Sequence, residues 1–190
     1  MTLLDFNGFG KTPEPKNAMT VADFANEVLE VMRLAQIEKA TLIGHSFGGR
    51  VALEITAKHS EKVEKLVLVD SAGLRPRRGP KYYAKITLHK LRIKLGLKGM
   101  QGSKDYISLS PVMKQTFKNI VNYNQKPLLA HINVMTAIFW GKSDKETKPY
   151  MARIFKRGIR DSAVFWLNGG HFAYIDDIHT FIAVLKAFLR

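Results

Sequence analysis

The chain has 190 residues, 46% of them hydrophobic and 24% charged, which is enough to bury the core of one ordinary globular domain. It has no cysteine, which excludes disulfide and thiolate chemistry and fits a reducing compartment. The net charge is +14, but between residues 75 and 126 thirteen Lys or Arg stand against the single acid Asp105, so the imbalance belongs mainly to one segment. No N-terminal signal pattern is present and no apolar run approaches the roughly 18 residues of a membrane span, so a soluble, cytoplasmic protein is expected.

In chain order, residues 1–5 read as the end of a short strand, and residues 6–10 (FNGFG) as a tight turn after it. Thr20 has the chemistry of an N-cap, with Asp23 in the first turn. Val21, Phe24, Val28, Val31 and Met32 then recur at helical spacing, which predicts an amphipathic helix ending near Ala35. Residues 39–43 form an apolar run suited to a buried parallel strand, and residues 50–58 (RVALEITAK) suit a helix. Between them lie Gly44, Ser46 and Gly48. A Gly-x-Ser-x-Gly pattern at a strand-to-helix turn raises the serine Oγ above the sheet, with small neighbours allowing close backbone approach.

Residues 63–69 (VEKLVLV) read as another buried strand, closed by Asp70, Ser71, Ala72 and Gly73. Residues 74–126 break the pattern with three prolines, scattered glycines and the basic run, as expected of an insertion over the sheet. If residues 81–98 are helical, Tyr82, Ile86, Ile93 and Leu97 share one side while Lys81, Lys85 and Arg92 cluster elsewhere; residues 91–98 also alternate with period two. Strand character returns at residues 134–140 (VMTAIFW), followed by a GKSD loop at 141–144 and a helix over 149–156. Residues 163–167 are a last short strand, 168–171 (NGGH) a loop, and 178–189 a closing amphipathic helix. Strands alternating with helices imply an α/β protein with a mainly parallel sheet, whose functional groups sit at the C-terminal ends of the strands.

Three candidate groups follow such strand ends, in the order Ser46, Asp144, His171. A serine hydroxyl is a weak nucleophile at neutral pH and needs a base for its proton; histidine, which titrates near neutrality, suits that task. A carboxylate then orients the imidazole and stabilises the imidazolium. Each residue also has a plainer reading: Ser46 as a small residue in a Gly-rich turn, Asp144 as a helix cap with Asp70 as the substitute acid, and His171 as a satisfied loop histidine. His45, His59, His89, His131 and His179 lack comparable placement, and scattered histidines without paired spacing give no metal site. With neither a Gly-x-Gly-x-x-Gly motif nor a phosphate loop, no cofactor is expected.

Four motifs together resemble the α/β-hydrolase fold family, in its single-domain serine esterase and carbon–carbon hydrolase branch. LDFNGFGK at 4–11 is similar to the family's Asp-x-x-Gly-x-Gly turn, and GHSFGG at 44–49 to its nucleophile elbow. WGKSD at 140–144 is similar to its acid loop, and GGHF at 169–172 to its histidine loop. The resemblance implies Ser46 as nucleophile, Asp144 as acid, His171 as general base and the Phe47 backbone N–H as an oxyanion donor. It implies a core made of residues 1–73 and 127–190, N-terminally incomplete, with residues 74–126 as a basic helical lid. Family members carry further strands before the Asp-x-x-Gly-x-Gly turn, including a central one whose loop supplies another oxyanion N–H. The strand entering the elbow is therefore expected to have a vacant flank, unless residues 1–5 or another chain fill it.

The expected function is a serine hydrolase cleaving an ester-like or related acyl bond through an acyl-enzyme, acting on a small-molecule substrate. The alternative is a catalytically weak or inactive binding protein of the same fold, or a fragment. The basic segment leaves room for weak contact with anionic surfaces. No base-stacking or groove-reading motif accompanies its charge, so nucleic acid is not the expected partner.

Overall fold

A computed structural model of the chain describes residues 1–77, 79, 80, 84, 86–88, 91 and 104–190. The first helix, α1 (Val21–Leu34), begins where Thr20 and Asp23 form a reciprocal capping box: the Thr20 Oγ1 accepts the Asp23 N–H, and the Asp23 carboxylate accepts the Thr20 N–H at 2.7 Å. Strand β1 (Ala40–His45) turns at Ser46 into α2 (Phe47–Lys58), and a short 3₁₀ turn leads to β2 (Val63–Val69). Within the long connection that follows lie α3 (Lys104–Ser108) and α4 (Pro111–Asn122). A 3₁₀ helix (Lys126–His131) leads to β3 (Thr136–Gly141), and α5 (Tyr150–Gly158), β4 (Ser162–Leu167), α6 (Ala173–Asp176) and α7 (Ile178–Leu189) follow.

The four strands form one parallel sheet in the order β1-β2-β3-β4. Period-two alternation divides their side chains between two cores. Leu66, Leu68, Ile138 and Trp140 face α2 and α5, meeting Leu53, Ala152 and Phe155. Val67, Val69, Ala137 and Phe139 face the other way, toward Ala173 of α6 and the partly buried Phe181 and Leu185 of α7. Each fully buried large side chain contributes about 1.5–3 kcal/mol over its exposed state, so these two layers supply most of the driving force. Trp140 also satisfies its indole, donating Nε1–H to the Thr147 carbonyl at 2.8 Å.

Residues 1–5 are not a strand; they run as irregular backbone. A strand requires a ladder partner, and these residues have none among the described ones. Asp5 instead closes the following turn: its Oδ2 accepts the Lys11 N–H at 3.3 Å, and its carbonyl accepts the Thr12 hydroxyl at 3.0 Å. Gly8 and Gly10, at φ +80° and +55°, supply the left-handed conformations the turn needs. Phe6 and Phe9 then pack with Phe24 of α1 and Phe47 of α2, the Phe9 and Phe47 rings stacked 5.4 Å apart. The N-terminal turn is thus fastened to the elbow helix and not to the sheet. The outer flank of β1 opens on a groove of about 570 Å³ lined by Leu3, Leu4, Met32, Ile37 and Ile43.

Helix α4 was not expected from the apolar pattern, although its start has a clear signal: Ser110 accepts the Met113 N–H at 3.1 Å, and Pro111 opens the helix. Most of the helix expected over residues 81–98, including Lys81, Lys85 and Arg92, lies outside the described residues, as does His89. Among the described residues no helix is long and apolar enough to cross a membrane.

Candidate active site

Ser46 sits at φ +48° and ψ −112°, a conformation that costs a non-glycine residue about 1–3 kcal/mol. Neighbouring backbone holds it there. The Ser46 N–H donates to the Val69 carbonyl and the Ala72 N–H to the Ser46 carbonyl, both at 3.0 Å, so the end of β2 clamps the turn. Of the two motif glycines, Gly44 is the one that packing requires, since a Cβ there would lie 2.5 Å from the backbone of Gly48 and Gly49. A Cβ at Gly48 would meet open space. The close approach of β1 to α2 at Gly44 aims the Ser46 side chain off the sheet end, and Phe47 places its amide among the unpaired N–H groups of the first helical turn.

Asp144 lies in the loop after β3. Its Oδ1 accepts the N–H groups of Glu146 at 2.8 Å and Thr147 at 3.0 Å. Its Oδ2 lies 2.6 Å from the Thr147 hydroxyl and 2.9 Å from His171 Nδ1. Asp144 does not cap the next helix, whose N-cap is Pro149 with no side-chain bond; its Oδ1 closes the acid loop and its Oδ2 faces the imidazole. Burial pushes its carboxyl up, but the hydrogen bonds from His171, Thr147 and Glu146 outweigh that and hold it below the ordinary carboxylate range.

His171 follows the Gly169–Gly170 turn after β4, which is tied to the acid loop by the Ser143 N–H donating to the Gly169 carbonyl at 3.0 Å. Its Nε2 lies 2.9 Å from Ser46 Oγ. Asp144 accepts at Nδ1, so the proton belongs on Nδ1 and Nε2 presents a lone pair to the serine hydroxyl. The structure therefore joins Ser46, His171 and Asp144 in one relay from three different strand ends.

Asp70 does not substitute for Asp144. It is fully buried, and its Oδ1 accepts the Gly141 N–H at 2.7 Å. Burial pushes it up to about 7, against the lowering effect of the Gly141 hydrogen bond and with the help of the Asp144 charge. His45, dismissed on sequence grounds, is also in the site: its Nε2–H donates to the His171 carbonyl at 2.7 Å, and the two rings are 4.9 Å apart. Burial lowers its pKa, which favours a neutral ring beside His171. Only its position next to Ser46 could have signalled this. His59 is near Glu61 at 3.8 Å, away from the relay. Among the described residues no group of three His, Cys, Asp or Glu could hold a metal ion.

Residues 1–83 match the family model described as alpha/beta hydrolase fold. The chain is 25% identical to AB hydrolase superfamily protein YisY of Bacillus subtilis, over 92% of this chain and 75% of that protein. A shorter stretch is 39% identical to a 2-hydroxymuconate semialdehyde hydrolase of Pseudomonas, covering 37% of this chain and 25% of the relative. Among solved structures, an esterase from Exiguobacterium antarcticum superposes with a TM-score of 0.74 at 22% identity, over 97% of this chain and 79% of that one, a likeness of fold.

Proposed function

This chain belongs to the α/β-hydrolase fold family, and from that premise we propose that it is a serine hydrolase cleaving an ester-like acyl bond. The observation that supports this reading is the continuous relay, with Ser46 Oγ at 2.9 Å from His171 Nε2 and His171 Nδ1 at 2.9 Å from Asp144 Oδ2. His171 takes the serine proton as Oγ attacks the acyl carbonyl, and Asp144 stabilises the imidazolium that results. The tetrahedral oxyanion accepts the Phe47 N–H at the start of α2, where the helix dipole also favours negative charge. Collapse breaks the bond to the leaving alcohol, which departs with the proton from His171 and leaves the acyl group on Ser46. Water then gives its proton to His171, adds to the acyl carbon, and the acid leaves as Ser46 recovers its proton.

In the same reading, residues 74–126 form a basic lid that chooses among acyl substrates. Hydrolysis of a carbon–carbon bond uses a similar site and belongs to the same proposal.

Labelling with a fluorophosphonate probe, alongside turnover of a short-chain p-nitrophenyl ester, tests the reading. Labelling of the wild type and its loss in Ser46→Ala are expected. Folded wild type that neither labels nor turns over ester would instead favour a non-catalytic binding protein of the same fold.

A further inference from the structure

Asp70 ends β2 beside the relay but takes no part in it as described above. Its backbone is left-handed, φ +43°, and is pinned by its own N–H donating to the Phe139 carbonyl at 3.0 Å. The side chain is fully buried, and while Oδ1 has the Gly141 N–H, Oδ2 is buried without any donor. The Thr147 hydroxyl lies 3.0 Å from the Asp70 carbonyl and 2.6 Å from Asp144 Oδ2, so the two acids are neighbours. The Asp144 charge disfavours the ionised form of buried Asp70, so neighbouring carboxyls of this kind favour sharing one proton.

Donor supply decides which group carries it. Asp144 receives the Glu146 and Thr147 N–H groups, the Thr147 hydroxyl and His171 Nδ1–H, all of which favour its charged form. Asp70 receives the Gly141 N–H alone. We propose that Asp70 is a positioning residue of the hydrolytic site that works as a carboxylic acid, its Oδ1 accepting the Gly141 N–H and its Oδ2 hydroxyl donating to the Asp144 carboxylate. The inference rests on the hydrolase reading above.

The arrangement does two things for the relay. Gly141 is the root of the acid loop, so the bond to Asp70 ties the ends of β2 and β3 together immediately before Asp144. The donated proton also fixes the Asp144 carboxylate while keeping a single negative charge opposite His171. The groups facing Asp70 are Asp144 from the acid loop and His171 from the loop after β4. Beyond them, Glu146 lies 3.5 Å from His171 Nε2 on the solvent side, and neutral His45 holds the His171 carbonyl. Burial, which pushes Asp70 up to about 7, supports a proton held to neutral pH and lost above it. Ionised Asp70 repels Asp144 and loosens its grip on the imidazole, so activity declines on the alkaline side.

Asp70→Asn keeps an acceptor for Gly141 and a donor for Asp144 at every pH. Its kcat on a short-chain p-nitrophenyl ester is expected within about threefold of wild type near pH 6, and to hold near pH 9 where wild type declines. Asp70→Ala, checked by circular dichroism for folding, loses about 10–100-fold in kcat with little change in KM, because the acid loop shifts. Equal losses in Asn and Ala variants, or the same alkaline decline in wild type and Asp70→Asn, would overturn the proposal. A carbon-13 titration of the Asp70 carboxyl, identified by its loss in Asp70→Asn, needs no turnover. A midpoint near 7 supports the proton assignment, and one in the ordinary aspartate range, near 4, overturns it. A neutral midpoint in protein that neither labels nor turns over ester sinks the hydrolase reading and the positioning role with it, while the proton assignment stands.

Discussion

Strands β1 and β3 each lead to one member of the relay, Ser46 and Asp144, yet they are held in opposite ways. All six residues of β3 are buried between β2 and β4, whereas in β1 Gly44 alone is buried and Ile43 is 49% exposed on the groove. The geometry at their ends is nonetheless equally definite. The elbow is fixed from its β2 side, through Val69 and Ala72, and from α2 through the tight contact at Gly44. Among the described residues β1 has no strand on its outer side, and the turn at its end is held by β2 and α2.

The largest effect tests whether the two ends act as one unit. Ser46→Ala, His171→Ala and the double variant are each expected to lose about 10⁴–10⁶ in kcat, nearly the same amount, because the relay has no partial function. Ester turnover measured across the three settles it; additive losses would mean that the elbow on the open flank is uncoupled from the rest. Next in size is a contrast in stability. Phe139→Ala removes a fully buried ring from β3 and is expected to cost about 3–5 kcal/mol, while Ile43→Ala on half-exposed β1 costs about 1. Urea unfolding of both variants checks this, and equal losses would erase the distinction between the strands.

Asp70, at the junction of the two regions, gives a pH-dependent difference. Below about pH 4 it is protonated in folded and unfolded chains alike, so its ionisation is neutral to stability. Between there and its raised value of about 7, unfolding releases a proton and stability falls as pH rises. The full loss, at most roughly 4 kcal/mol, is reached above 7. Asp70→Asn escapes it, so its Tm is expected to exceed that of wild type at pH 8 and to converge with it near pH 4. A constant difference across the range would mean that the Asp70 proton is not linked to folding.

The parts of this architecture that local pattern controls were legible in the sequence. The N-cap at Thr20, the buried runs of β2 and β3, and the order Ser46, Asp144, His171 after strand ends all depend on residues close in the chain or on period-two alternation. What could not be read depends on partners distant in sequence. Residues 1–5 carry a strand-like composition, but without a ladder Asp5 is better satisfied by Lys11 and Thr12. His45 gains its place from the His171 carbonyl, 126 residues away, and Asp70 from Gly141, 71 residues away. Phe6, Phe9, Phe24 and Phe47 are scattered along the chain, and nothing in their spacing announces one cluster.

The smallest expected change in folding stability accompanies a solubility change that probes the open flank directly. An unpaired parallel edge with an apolar side chain beside it is a template for pairing with other chains, and proteins commonly blunt such edges with lysine. Ile43 is half exposed, so Lys at that position can extend its stem along the groove and keep its ammonium in water. Ile43→Lys is therefore expected to change folding stability by less than about 0.5 kcal/mol. It should also leave fluorophosphonate labelling intact, because Ser46 is clamped by Val69 and Ala72 and not by the outer flank of β1. Static light scattering at rising concentration is expected to show less self-association than in wild type. Unchanged scattering would mean that the β1 edge is already protected, and loss of labelling would mean that the elbow leans on this flank after all.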